Sequence, residues 1–225
     1  MREQTWPTMA STQSSAIVGN WQLYAIVGAV VLVLVWGLIL ISVVRFRKRG
    51  DGEPAQFRNN YPLEIAWTLV PLALVCVLFV YTYRAEASVE AVSGTPAVSV
   101  HVNAYRWGWT FAYDGGPTVG GADRAPILAS AREAPPQLVL PVDETARLTL
   151  TSSDVNHSFW VPAFWFKRDA IPGQTTTFDV RPDREGTFVG HCAAFCGLNH
   201  ALMSFEVRVV SPQAFARWEK AEMQS

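Results

Sequence analysis

Two thiols, two imidazoles and a thioether fall within thirteen residues of this chain, His191-Cys-Ala-Ala-Phe-Cys-Gly-Leu-Asn-His-Ala-Leu-Met203. Cys192 and Cys196 are four apart, His200 follows four later and Met203 three beyond that. Sulfur donors mixed with imidazole select copper over hard cations. Cys196, His200 and Met203 supply three of the four ligands of a mononuclear blue-copper site, so a second imidazole must come from elsewhere. Cys192 is surplus to one copper ion but suits two, because a pair of thiolates can bridge a pair of metals. Two other readings compete. A Cys192–Cys196 disulfide is chemically open in an oxidising compartment. Structural zinc accepts the Cys spacing, although thioether is a poor ligand for it.

The remaining histidines narrow the choice of the missing imidazole. His191 directly precedes Cys192, and neighbouring side chains on an extended chain point to opposite faces; it is expected at the surface. His101 lies in mid-strand, exposed or packed. His157 heads a strand after the polar turn Ser153-Asp-Val-Asn-His, the kind of loop position where ligands often sit, and is the candidate.

These donors need a scaffold, and the chain supplies it in two parts. Residues 1–20 are rich in Ser and Thr and read as a flexible tail. Trp21–Val44 carries no charge, is long enough to cross a bilayer, and lacks a following small-residue cleavage site. A second uncharged run, Ile65–Tyr83, contains Pro71, which a membrane helix tolerates. Cys76 lies in it as a small lipid- or helix-facing residue. A helical hairpin over 21–84 follows. Arg45, Arg47, Lys48, Arg49 and Arg58 occupy the connecting loop 45–64, against Arg2 alone before the first run. The positive-inside rule puts the loop in the cytoplasm and both termini on the outer face.

From Pro96 the pattern changes to short β-type runs separated by Gly and Pro. Candidate strands are 97–103, 105–113, 137–140, 146–152, 158–161, 175–180, 187–190 and 204–210, which indicates a sandwich or barrel over 96–210. In 105–113 the rings of Tyr105, Trp107, Trp109, Phe111 and Tyr113 alternate with smaller residues, predicting one aromatic face. Phe164-Trp165-Phe166 fits either a buried cluster or a docking patch. Ser211-Pro212 reads as an N-cap with Pro at the first helical position, opening a short C-terminal helix in 211–225. The 11 acids and nine bases between Pro96 and Val210, and a net charge of −1 overall, give no footprint for nucleic acid. No Cys-x-x-Cys-His is present, so the chain carries no covalent c-type haem.

Read together, Asp154-Val-Asn-His157-Ser-Phe, Lys167-x-Asp169-Ala-Ile-Pro-Gly173 and Cys192-x3-Cys-Gly-x2-His-x2-Met203 resemble subunit II of cytochrome c oxidase. Leu63-Glu64-Ile-Ala-Trp67-Thr-x2-Pro71 and Trp107-Gly-Trp109 extend the likeness, which runs in order from Trp21 to Trp218. The resemblance implies a transmembrane hairpin followed by an all-β, cupredoxin-like Greek-key barrel holding a dinuclear copper centre, CuA. His157 and His200 would each bind one copper, Cys192 and Cys196 would bridge both, and Met203 and the backbone carbonyl of Ala194 would be weak ligands. Trp107 would be the point where electrons arrive from cytochrome c. Glu64, at the cytoplasmic rim, would stand at the mouth of a proton path. The partners implied are the catalytic haem-copper subunit I, which holds the haem, and the other subunits of a bacterial oxidase in the cytoplasmic membrane. The family usually has Glu where this chain has Ala194, so interfacial magnesium is expected to be weak or absent. A membrane-tethered copper carrier and the related copper-free quinol-oxidase subunit are the rival classes. Bridging thiolates would make too closed a site for a carrier, and retention of all five copper-binding side chains argues against the quinol-oxidase relative.

Overall fold

A computed structural model of the chain describes residues 8–47, 59–120 and 135–224. The first seven residues of the expected tail, and Lys48, Arg49 and Arg58 of the basic loop, lie outside the described residues. The chain divides into two compact units, Val18–Ala87, and Met1–Ile17 together with Ser88–Ser225.

The first unit contains most of α1 (Thr12–Arg45) and α2 (Tyr61–Glu90), helices of 34 and 30 residues. At 1.5 Å per residue both exceed the roughly 30 Å apolar core of a bilayer, and their Leu, Val and Ile side chains face outward unburied. The Tyr24 hydroxyl lies 2.6 Å from Thr82 Oγ1, tying the two helices together. Pro71 is accommodated inside α2.

The expected tail is corrected in part, because α1 begins at Thr12, nine residues before Trp21. Ser11 explains the early start: its Oγ accepts the Ser14 N–H at 3.2 Å, satisfying one of the donors left open at a helix start. The preceding residues are bonded into the β unit, Ala10 N–H to Ala163 O at 2.9 Å and Thr12 N–H to Arg181 O at 3.0 Å. Hydroxyl-rich composition here serves capping and docking.

The β unit has ten strands: β1 Val98–Tyr105, β2 Gly108–Tyr113, β3 Thr118–Gly120, β4 Gln137–Pro141, β5 Ala146–Ser152, β6 His157–Val161, β7 Phe166–Ala170, β8 Thr176–Val180, β9 Gly186–Cys192 and β10 Ser204–Val210. They form two five-stranded sheets, ordered β3-β2-β1-β5-β8 and β4-β10-β9-β6-β7. β1 runs parallel to β5 and β4 parallel to β10, while the other pairs are antiparallel. Alternation decides what each sheet buries. Val100, Val102 and Ala104 of β1, Leu148 and Leu150 of β5, and Phe205, Val207 and Val209 of β10 point into one shared core. Each large side chain so buried contributes roughly 1.5–3 kcal/mol. α3 (Pro212–Glu222) is capped by Ser211 Oγ on the Ala214 N–H and lays Phe215 and Trp218 on the Tyr113 ring.

The single aromatic strand over 105–113 is broken. Tyr105 ends β1, and Arg106 and Trp107 make a two-residue hairpin turn closed by the Tyr105–Gly108 pair. Trp109, Phe111 and Tyr113 share the buried face, whereas Trp107 leaves it. Phe164 and Phe166 are buried and Trp165 is half-buried, so the triplet is largely packed inward.

Candidate metal centre

β9 and β10 are hydrogen-bonded neighbours, and the loop joining them carries the sulfur-rich segment. Period-2 alternation along β9 turns Gly190 and Cys192 inward. On β10, Phe205 faces the same core. Gly190 permits this packing, since a Cβ there would stand 2.2 Å from the Phe205 ring. The Cys192 N–H donates to Met203 O at 3.0 Å, extending the ladder by one rung. Between them the chain turns at Gly197 (φ 118°) and winds through a short 3-10 turn, His200–Leu202. His157 enters from the neighbouring strand β6, whose Phe159 pairs with Cys192.

The result is a compact donor cluster. Cys192 Sγ and Cys196 Sγ are 3.9 Å apart, far beyond the roughly 2.05 Å of a disulfide, and both are free thiols. His157 Nδ1 is 3.8 Å from Cys192 Sγ, and His200 Nδ1 is 3.6 Å from Cys196 Sγ. Met203 Sδ is 3.8 Å from Cys196 Sγ, and the Ala194 carbonyl oxygen 3.2 Å from Cys192 Sγ. Nitrogen and sulfur donors placed tetrahedrally at 2.0–2.3 Å from a metal stand roughly 3.5–3.8 Å from each other. The spacings therefore suit a metal without rearrangement. His157 is fully buried, and Cys192, Cys196 and Met203 are also buried. Soft donors in a dry setting fit copper.

Asp154 fixes the outer side of His157. Its carboxylate accepts His157 Nε2–H at 2.8 Å, the Arg106 N–H at 2.7 Å and the Val155 N–H at 2.6 Å. With the proton held on Nε2, Nδ1 is left facing the sulfurs. Burial raises the Asp154 carboxyl, but the bonds from His157, Val155 and Arg106 outweigh it and leave it at about 2. Burial also raises both thiols. At Cys192 the hydrogen bond with His157 and backbone bonds at Ser158 and Ala194 draw it down to about 6. At Cys196 burial and the charge on Cys192 push it up to about 12. The pair gives up one proton readily and holds the second, which a bound cation would displace.

Behind the donors stand aromatic rings: Trp109 lies 6.4 Å from His157 and 5.1 Å from Phe205, which stacks on Phe159 at 4.8 Å. On the other side, half-buried Trp107 donates its indole N–H to Cys196 O at 3.2 Å. The structure thus brings together His157, Cys192, Ala194, Cys196, His200, Met203 and Trp107. His191 faces out of the sheet, half-buried against Trp160, and exposed His101 pairs with Asp114 at 3.1 Å. Glu64 stands in the first turn of α2, where its Oε1 accepts the Asn60 N–H at 3.2 Å. It lines an open groove of about 280 Å³ with Ile65, Thr68 and Leu69. Asp154 and the Trp107–Cys196 bond escaped sequence reasoning. An Asp three residues before a candidate His was the available signal for the first; nothing local announced the second.

Residues 4–85 match the family model for the transmembrane domain of cytochrome c oxidase subunit II, and residues 123–210 match that for its periplasmic domain. Among curated relatives, the probable cytochrome c oxidase subunit 2 of Streptomyces avermitilis is 38% identical, over 93% of this chain and 76% of its own length. The cytochrome c oxidase subunit 2 of Corynebacterium glutamicum is 33% identical, over 95% and 74% respectively. The chain belongs to the cytochrome c oxidase subunit II family. The crystal structure of the periplasmic domain of subunit II of cytochrome oxidase from Bradyrhizobium japonicum aligns with a TM-score of 0.50 at 30% identity, covering 59% of this chain and 98% of that one. Family membership makes the chain a subunit of an oxidase. Its two apolar helices make it a membrane protein, and its mixed sheets resemble the cupredoxin fold.

Proposed function

We propose that the chain is the electron-accepting subunit of a respiratory cytochrome c oxidase, receiving electrons from cytochrome c at a dinuclear copper centre and delivering them to haem in the catalytic subunit. Oxygen reduction and proton translocation take place in that other chain. His157, His200, Cys192, Cys196, Met203 and the Ala194 carbonyl would hold the copper pair. One observation carries this reading: two unlinked thiols 3.9 Å apart, each with an imidazole Nδ1 of its own at 3.8 and 3.6 Å. When bound, the copper pair supplies one-electron transfer. The chain does the rest. Its aromatic core keeps water from the thiols, Asp154 orients His157, and Trp107 offers a ring that accepts electrons at the surface side of the loop. Electron paramagnetic resonance on the full chain loaded with copper tests the centre. The expected spectrum is one unpaired electron shared equally by two copper nuclei, at two copper per polypeptide; a single-copper pattern overturns the reading.

The basic residues between the two helices support a cytoplasmic loop, with both termini and the β unit on the outer face. Glu64 then lies at the cytoplasmic rim, and we assign it the mouth of a proton path. Glu64→Gln in the assembled oxidase is expected to slow proton-linked turnover, and unchanged turnover removes the role. Ala194 offers a carbonyl but no carboxylate, so metal analysis of the oxidase is expected to show the subunit junction depleted of magnesium. Full occupancy there would contradict it.

A further inference from the structure

The indole of Trp107 lies so close to the copper-loop backbone that a side chain at position 197 would press on it. A Cβ built on Gly197 would stand 3.2 Å from Trp107 Cζ2, a few tenths of an ångström inside ordinary van der Waals contact, and would touch Nε1 at 3.5 Å. The same peptide unit carries the acceptor for the indole, Cys196 O at 3.2 Å. Gly197 itself has φ 118°, well beyond the left-handed region near +57° that Asn can enter and open essentially to glycine alone. The ring sits on a two-residue turn between paired strands. The preceding residue, Arg106, is held through its N–H and its Nε by the Asp154 carboxylate, at 2.7 and 3.2 Å.

We propose that Gly197 is a positioning residue, its missing side chain letting the Trp107 indole seat on the Cys196–Gly197 peptide and so connect directly to a bridging sulfur. The proposal rests on the reading of Trp107 as the electron-accepting ring. The path it provides runs from the indole N–H through the hydrogen bond to the Cys196 carbonyl, then through Cα and Cβ to Sγ. One electron moves along it in each transfer, from reduced cytochrome c to oxidised copper, with no bond made or broken. The glycine does two things here: it allows the loop to turn, and it allows the ring to approach. Only the second is coupled to Trp107, and that coupling is measurable.

The test uses the full chain in detergent, without copper, with tryptophan indoles labelled by nitrogen-15. The Trp107 N–H is assigned by its disappearance in Trp107→Phe. In Gly197→Ala its hydrogen exchange is expected to accelerate roughly fivefold or more, the factor that one lost hydrogen bond confers. A double-mutant cycle separates seating from backbone strain. If the glycine serves the indole, the drop in thermal midpoint caused by Gly197→Ala shrinks by more than half in a Trp107→Phe background. Unchanged exchange, or an equal drop in both backgrounds, overturns the proposal. Should Gly197→Ala alone fail to fold, the double variant must fold, and its failure counts equally against the idea. In the copper-loaded oxidase, electron uptake is expected to fall at least fivefold with the paired-copper spectrum intact; uptake at the parental rate overturns the functional half. Absence of that spectrum from the parent chain would instead sink the copper reading, which the exchange measurement does not depend on.

Discussion

Asp154→Ala is the perturbation that most directly probes how the copper site is held. The carboxylate accepts four hydrogen bonds, from His157 Nε2, the Arg106 backbone, Arg106 Nε and the Val155 backbone. Alanine leaves Val155 and Arg106 near water, where they can be rehydrated. His157 has no such recourse, because it is fully buried. Its Nε2–H loses its partner, the ring is no longer held with Nδ1 toward Cys192, and the other tautomer becomes competitive. Loss of a partner that orients a metal-binding imidazole costs about 10–100-fold in metal affinity, or about 1.4–2.7 kcal/mol. A hydrogen bond to a charged group is independently worth about 1.5–3 kcal/mol, so the His157 bond alone accounts for the range. Asp154→Asn, which retains an oxygen acceptor, should fall between the parent and Asp154→Ala. Competition for copper against a calibrated chelator, on the full chain in detergent, measures the shift. Affinity within twofold of the parent for Asp154→Ala would show that the barrel alone orients His157, and would refute the reasoning.

Two further tests concern the fold beneath the site. Asp179 is buried and accepts the Ser93 N–H at 2.6 Å and both Arg147 Nε and Nη2, at 2.9 and 3.1 Å. Asp179→Ala leaves the Arg147 guanidinium and the Ser93 N–H without their shared acceptor. Calorimetry of the copper-free chain should show the β unit melting roughly 4 °C lower or more, and a shift under 2 °C would refute the clasp. The Tyr113 hydroxyl donates to Val139 O at 2.9 Å and accepts the Val139 N–H at 2.7 Å. Burial pushes its phenol above the ordinary 10.0, with Glu219 and Glu222 adding to the rise against the Val139 bond. A raised folded value means its contribution is complete below about pH 10 and is lost as pH climbs past that point. Tyr113→Phe should cost about 1–2 kcal/mol at neutral pH and flatten the alkaline loss, read from urea unfolding at pH 8 and pH 11. A variant with the parent's alkaline slope would contradict this.

The chemistry was legible in the sequence where it was local, and obscure where two distant segments had to meet. Cys192, Cys196, His200 and Met203 sit in one loop, so their spacing alone displays the donor set. His157 could be picked as a candidate from its turn, but its place beside Cys192 depends on β6 pairing with β9, which no short-range pattern encodes. Strand β7 is absent from the candidate strands because Lys167, Arg168 and Asp169 interrupt the apolar pattern. They lie on an edge strand of their sheet, where the outward charges of Lys167 and Asp169 are usual and discourage further pairing, while Arg168 turns inward over the Phe166 and Phe178 rings. The turn at Arg106-Trp107 was missed for the opposite reason. It contains none of the Gly, Asn or Asp that mark two-residue hairpins, so the aromatic alternation runs on through it. The helix start at Thr12 is hidden in the tail's sequence because Ser and Thr favour both disorder and helix caps, and only the tertiary bonds of Ala10 and Thr12 distinguish the two.

Those same bonds bear on how the polypeptide is threaded. Residues ahead of the first span are hydrogen-bonded to the turn after β6 and to the residue after β8, so these stretches fold as one unit. It also means that a soluble fragment trimmed to begin after the hairpin would leave Ala163 and Arg181 with carbonyls that have lost their partners, and would misrepresent the intact domain along that seam.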